Sequence, residues 1–168
     1  MSTQDNLTET IIKWAATRPD EVVFDPKTGF YSFEIVSDAF HKGKEKMMEE
    51  MKAQMRNKYY DNAKMGSEAL KNIMNALAQK DYIPCKLFVN NSTKGTTIIL
   101  SITEAVYSTE NFIDFAYSEA LNLQAKHHEI GHNLKISFMN DSENLNLDLL
   151  KSDGFGFAFD LNNTQPIY

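Results

Sequence analysis

The stretch Lys126-His127-His128-Glu129-Ile130-Gly131-His132-Asn133-Leu134-Lys135-Ile136-Ser137-Phe138 decides how the chain is read. Before it, Phe112, Ala116, Ala120 and Leu123 recur at helical spacing with Ile113 and Tyr117 beside them, which predicts a helix capped by Ser108 or Thr109. Within it, Leu134, Ile136 and Phe138 alternate with polar residues, the period of a half-buried strand. The change of period falls at Gly131, and a glycine one residue past the C-cap takes up the left-handed conformation that ends a helix. His132 is therefore expected in the connecting turn, outside the helix.

Outward from this junction the chain keeps the strand period on both sides of the helix. Lys86-Leu87-Phe88-Val89 and Thr96 to Ile102 flank the turn-rich Asn90 to Gly95, which predicts a hairpin. Leu145-Asn146-Leu147-Asp148-Leu149 alternates, and so does Phe155 to Leu161 after the turn Ser152-Asp153-Gly154, giving two further strand candidates. The expected order is strand, strand, helix, then two or three strands. That order predicts an α+β fold with a mostly antiparallel sheet of about five strands, covered on one face by helix.

The N-terminal half reads as helical. Residues 6–18 carry Leu7, Ile11, Ile12, Trp14 and Ala15 at amphipathic spacing and stop at Pro19. Asp25-Pro26-Lys27-Thr28-Gly29 has the turn chemistry of a small hairpin or tight loop. Ser32 is a candidate cap for a long helix with Val36, Phe40, Met47, Met51, Met55, Tyr59 and Ala63 along its apolar positions. Gly66 and Ser67 interrupt that pattern, so Ser67 is expected to cap a further helix through Ala69, Leu70, Ile73, Met74 and Leu77. We expect a helical region with a small hairpin over residues 1–80 and an α+β sheet domain over 81–168, packed as one compact unit.

The composition narrows the class. A chain of 168 residues with 42% hydrophobic and 11% aromatic content can bury a core without staples. Its 17 basic and 23 acidic residues leave a net charge of −6, which disfavours binding to phosphate backbones, so no nucleic-acid partner is expected. The lone Cys85 lies among apolar residues and reads as a buried side chain in a reducing compartment. With no apolar run long enough to span a bilayer, the expected location is cytoplasmic, with no membrane partner. Phe155, Phe157 and Phe159 read as core rather than as a base-stacking platform, since no cations adjoin them.

His128-Glu129-Ile130-Gly131-His132-Asn133-Leu134 resembles the core of the zincin metallopeptidase motif over these seven residues. The resemblance implies zinc held by His128 and His132, Glu129 as general base on the bound water, and a third ligand further along. Lys135 and Phe138 stand where the metzincin subtype has glycine and histidine, which excludes that subtype. Glu143, Asp141 or Asp148 would have to complete another arrangement. Lys126 is charged where the family prefers an uncharged residue, and a helix that ends at Gly131 cannot bring the two imidazoles together. The competing account places Lys126, His127 and His128 at the negative end of the helix dipole, with no cofactor.

The methionines of the long helix have two readings as well, a core-packing face or an adaptable surface for another protein. We read the chain as a non-enzymatic intracellular interaction or assembly module. It associates with itself or with a protein partner through a Met-rich helix whose contact residues are Met47, Met51, Met55 and Tyr59. The alternative is a small zinc-dependent hydrolase.

Overall fold

The computed structural model describes residues 24–25, 30–31, 33–142 and 145–168. The helix expected over 6–18, the turn residues 26–29, the Ser32 cap and Glu143 lie outside the described residues. Two compact units emerge, residues 1–54 and residues 55–168. In the first, β1 (Phe24–Asp25) pairs antiparallel with β2 (Phe30–Tyr31), and helix α1 begins at Phe33.

The second unit is an α+β domain built on β3 (Lys86–Ser92), β4 (Gly95–Ile102), β5 (Leu134–Asn140), β6 (Phe157–Asp160) and β7 (Gln165–Pro166). Their order in the sheet is β5-β4-β3-β6-β7. The sheet is mixed, which corrects the mostly antiparallel expectation: β4 and β5 run parallel, with Ile98 opposite Ile136 and Leu100 opposite Phe138. Parallel neighbours need a crossover, and it is supplied by α2 (Glu104–Tyr107) and α3 (Glu110–Glu129). Thr109 caps α3 by accepting from the backbone N–H of Phe112.

One face of the sheet holds Leu87, Ile98, Leu100, Ile102, Leu134, Ile136 and Phe138, and Ala69, Ile73 and Leu77 of α1 with Phe112, Ala116 and Ala120 of α3 pack on it as a single cluster. Phe112 of α3 meets Phe138 edge-on at 5.5 Å and Tyr82 at 5.2 Å, an arrangement that suits the charge distribution of aromatic rings. On the other face Phe88, Phe155 and Ala158 form a smaller cluster with Leu145, Leu147 and Leu150. Phe159 packs against the first cluster, but Phe157 is 49% exposed, so the three phenylalanines do not share one core as expected.

Two further expectations are corrected. Leu145 to Leu149 is not a strand: α4 spans Leu147–Ser152, capped by the Asn146 side chain, which accepts from Leu149 N–H at 2.9 Å. Five alternating residues were too few to outweigh a good N-cap, Asp148 in the first turn and Lys151 in the last. Nor does a new helix start at Ser67, because α1 runs unbroken from Phe33 to Ala78. A glycine inside a helix costs about 1 kcal/mol, whereas each fully buried aliphatic side chain contributes about 1.5–3 kcal/mol. Ile73 and Leu77, both fully buried on the face that follows Gly66, decide the balance.

Gly66 of α1 also lies tight against Thr96 of β4. A Cβ there would lie 2.6 Å from Thr96 Cγ2 and 2.9 Å from its hydroxyl oxygen. Overpacking costs about 1–3 kcal/mol, more than the gain in helix propensity. Gly66→Ala should therefore lower stability by about 1 kcal/mol in urea denaturation, and adding Thr96→Ser should recover part of the loss. A more stable Gly66→Ala protein would contradict the close packing.

Candidate functional site

Helix α3 ends as the sequence anticipates, with Gly131 at φ +78°. Gly131 N–H donates to the His128 carbonyl at 3.0 Å and His132 N–H to the His127 carbonyl at 2.9 Å, the two bonds of a Schellman end. This geometry brings the side chain after the glycine onto the one five residues earlier, normally as an apolar contact. The end of α1 follows that rule: Tyr82 N–H donates to Leu77, Asp81 takes the left-handed position at φ 59°, and Leu77 and Tyr82 belong to the core. At the end of α3 the two side chains are instead His127 and His132, with their Nδ1 atoms 2.9 Å apart.

The pair continues inward. His132, 1% exposed, places Nε2 3.2 Å from the Thr96 hydroxyl. That hydroxyl has two acceptors in reach, the Asn62 carbonyl at 3.0 Å and Asn91 Oδ1 at 2.9 Å. Asn91 is oriented by its own NH₂ group, which donates to the Tyr59 carbonyl at 3.0 Å. A hydroxyl carries one proton, so a third acceptor beside it would be repelled. His132 therefore holds its proton on Nε2 and donates to Thr96, its Nδ1 accepts from His127, and the His127 lone pair sits on Nε2.

This arrangement separates the residues of the HExxH stretch. His128 and Glu129 are exposed on the last turn of α3, while His132 is buried with both ring nitrogens engaged. The shared helical face that two zinc-binding imidazoles need is not formed. Asp141 pairs with Lys86 at 2.7 Å, and Asp148 lies in the first turn of α4. Among the described residues, no group of three or more His, Cys, Asp or Glu side chains is placed to hold a metal ion.

Burial pushes the pKa of both paired histidines below the ordinary 6.5, opposed at His127 by the carboxylate of Glu68 and reinforced at His132 by His127. His127 is thus not the dipole-facing cation that its position suggests. Burial, with Asp141 adding to it, likewise raises the Cys85 thiol, so this side chain is no ready thiolate. Near it, Lys86 and Asp160 line a cleft of about 290 Å³ with Leu145, Leu147 and Ile167.

The remaining feature is the outer part of α1. Met47, Met51, Met55, Tyr59, Asn62, Gly66, Ala69, Ile73 and Leu77 follow one another at steps of three or four, so they share one face of the helix. From Asn62 onward that face is buried, with Ala69, Ile73 and Leu77 at 0% exposure. Before Asn62 it is open: Met51 is 48% exposed, Met55 54% and Tyr59 45%, with Met47, Met48 and Phe40 exposed too. The core reading of these methionines does not match their exposure. No helix of the described residues is long and apolar enough to cross a membrane. The chain matches no protein-family model, no curated protein and no solved structure.

Two outcomes follow from the histidine pair. Because both folded-state pKa values are lowered, the unfolded chain takes up protons first as pH falls below about 6.5, and stability drops with it until the folded pair titrates. Denaturant titrations at pH 7.5 and 5.0 should show this loss, and His132→Asn should reduce it; an unchanged slope would contradict the buried neutral pair. His132→Ala should cost at least about 2 kcal/mol by leaving the His127 ring N–H without an acceptor and the Thr96 oxygen without a donor, whereas exposed His128→Ala should change stability by no more than about 0.5 kcal/mol. A shared zinc site would instead make both variants lose the same zinc-dependent rise in melting temperature.

Proposed function

We propose that this protein is a protein-interaction and assembly module whose docking face is the Met-rich part of α1, with Met47, Met51, Met55 and Tyr59 as contact residues. The observation that carries this reading is one helix face that is fully buried from Ala69 to Leu77 and about half exposed from Met47 to Tyr59. Contiguous exposed apolar surface is costly to keep in water unless something covers it, and unbranched thioethers adapt to an irregular partner surface. The cytoplasm is the proposed location, supported by the single, unpaired Cys85.

A diazirine-bearing residue placed at position 51 or 55 in living cells should give covalent protein adducts on illumination, while one at the exposed Asp114 of α3 should not. Met51→Lys combined with Met55→Lys should abolish adducts formed from position 59 and change stability by no more than about 0.5 kcal/mol, as expected for surface sites. Absence of any protein adduct from the three stripe positions overturns the reading.

A further inference from the structure

We infer that His127, His132 and Thr96 form a proton-operated latch on the turn between α3 and β5, which stays closed when a first proton binds His127 Nε2 and opens when a second reaches His132. The inference is independent of the docking face. It starts from a difference between the two rings. His132 has both nitrogens engaged and is 1% exposed, so neither of them is open to water. His127 commits only Nδ1 to the pair. Among the described residues the one buried side-chain nitrogen or oxygen without a hydrogen-bond partner is Asn140 Oδ1, so His127 Nε2, which also lacks one, reaches the solvent. The chain therefore has one entrance for a proton.

The direction of the hydrogen bonds decides what each proton does. His127 Nδ1–H donates to His132 Nδ1, His132 Nε2–H donates to Thr96, and the Thr96 hydroxyl donates to the Asn62 carbonyl or Asn91 Oδ1. A proton added at His127 Nε2 leaves every donor in place and makes the bond between the rings charge-assisted, hence stronger. The charge rests on His127 and does not cross to His132, because His127 is the less buried ring and the carboxylate of Glu68 on α1 acts on it. Thr96 and Asn91, from β4 and β3, are uncharged, and Lys126, His128, Glu129 and Lys135 are exposed. A second proton has one place left, His132 Nδ1, where it would set the N–H groups of two cationic rings head-on at 2.9 Å. The rings must then part. His132 N–H is bonded to the His127 carbonyl, so parting the rings loosens the turn and takes His132 off Thr96. Burial lowers the pKa of both histidines, so the unfolded chain binds both protons first as pH falls. Once His127 titrates, the pair's contribution to the loss of stability falls from two protons towards one.

Imidazole nitrogen NMR of the full chain, titrated downward from neutral pH, tests both steps. At the first, both His127 nitrogens should take protonated shifts, His132 should keep one bare nitrogen, and the His132 amide should keep its protection from hydrogen exchange. At the second, that protection should be lost while the amides of β3 and β4 stay protected. His127→Asn retains a donor for His132 but has no basic nitrogen, so it should remove the first step and keep the His132 amide protected at neutral pH. Glu68→Gln should move the first step to lower pH. A cationic His132 at the first step, loss of its amide protection at that step, or a first step unmoved by Glu68→Gln overturns the one-proton closed state. Loss of protection by the whole sheet at the second step, or unfolding before His127 titrates, overturns the latch itself.

Discussion

The Thr96 hydroxyl holds together the elements that define the sheet domain. It lies within hydrogen-bond distance of the Asn62 carbonyl on α1, the Asn91 amide on β3 and the His132 ring in the turn between α3 and β5. Gly66 makes room for it, since any side chain there would push α1 away from β4. Thr96 is 2% exposed, so leaving any of these polar partners unmatched would carry the desolvation cost of a buried group. The packing of α1, the start of β4 and the entry into β5 are consequently set at one place. Asn62 and Asn91 add bonds of their own from their NH₂ groups, to the Ser92 and Tyr59 carbonyls, and so tie the β3–β4 hairpin to one turn of α1.

What could be read in the chain depended on how many independent signals agreed. The end of α3 was legible because helical spacing stopped, a glycine stood at the left-handed position and strict alternation began within four residues. The strands β3 and β4 were legible for a similar reason, β-branched and aromatic residues on both sides of a turn. Leu145 to Leu149 misled because a two-residue period over so short a run also fits a single helical turn, and its cap, Asn146, was read as a polar strand residue. Gly66 misled because a local cost was weighed without the long-range packing that outweighs it. Strand direction was not legible at all: both hairpins and crossovers satisfy the same alternation, and only the α3 crossover makes β5 parallel to β4.

The same division runs through the candidate sites. Short motif spacing suggested His128 and His132, while the fold joins His127 to His132. The Schellman geometry could have shown this in advance: once Gly131 is the left-handed residue, its follower must meet the side chain five positions earlier. The placement of His128 in the last turn of the helix agrees with its position, but His127, its neighbour, turns inward. The connection to Thr96 had no sequence signal, since it depends on the register that sets Thr96 opposite Leu134.

The long helix joins folding and proposed assembly through one repeating pattern. Its buried stretch uses alanine, isoleucine and leucine, shapes that fill a fixed cavity; its open stretch uses methionine and tyrosine, which adapt to a surface or keep a polar tip in water. The energetic consequence is separation of roles. Substituting Ile73 or Leu77 removes contacts in the core and weakens the fold by about 2–5 kcal/mol, whereas the exposed methionines contribute little until they are covered. Residues that are nearly free of folding constraints can carry the identity of a partner. A face continuous with the core but uncovered at one end thus allows the same helix to be rigid where it supports the sheet and adaptable where another chain would meet it.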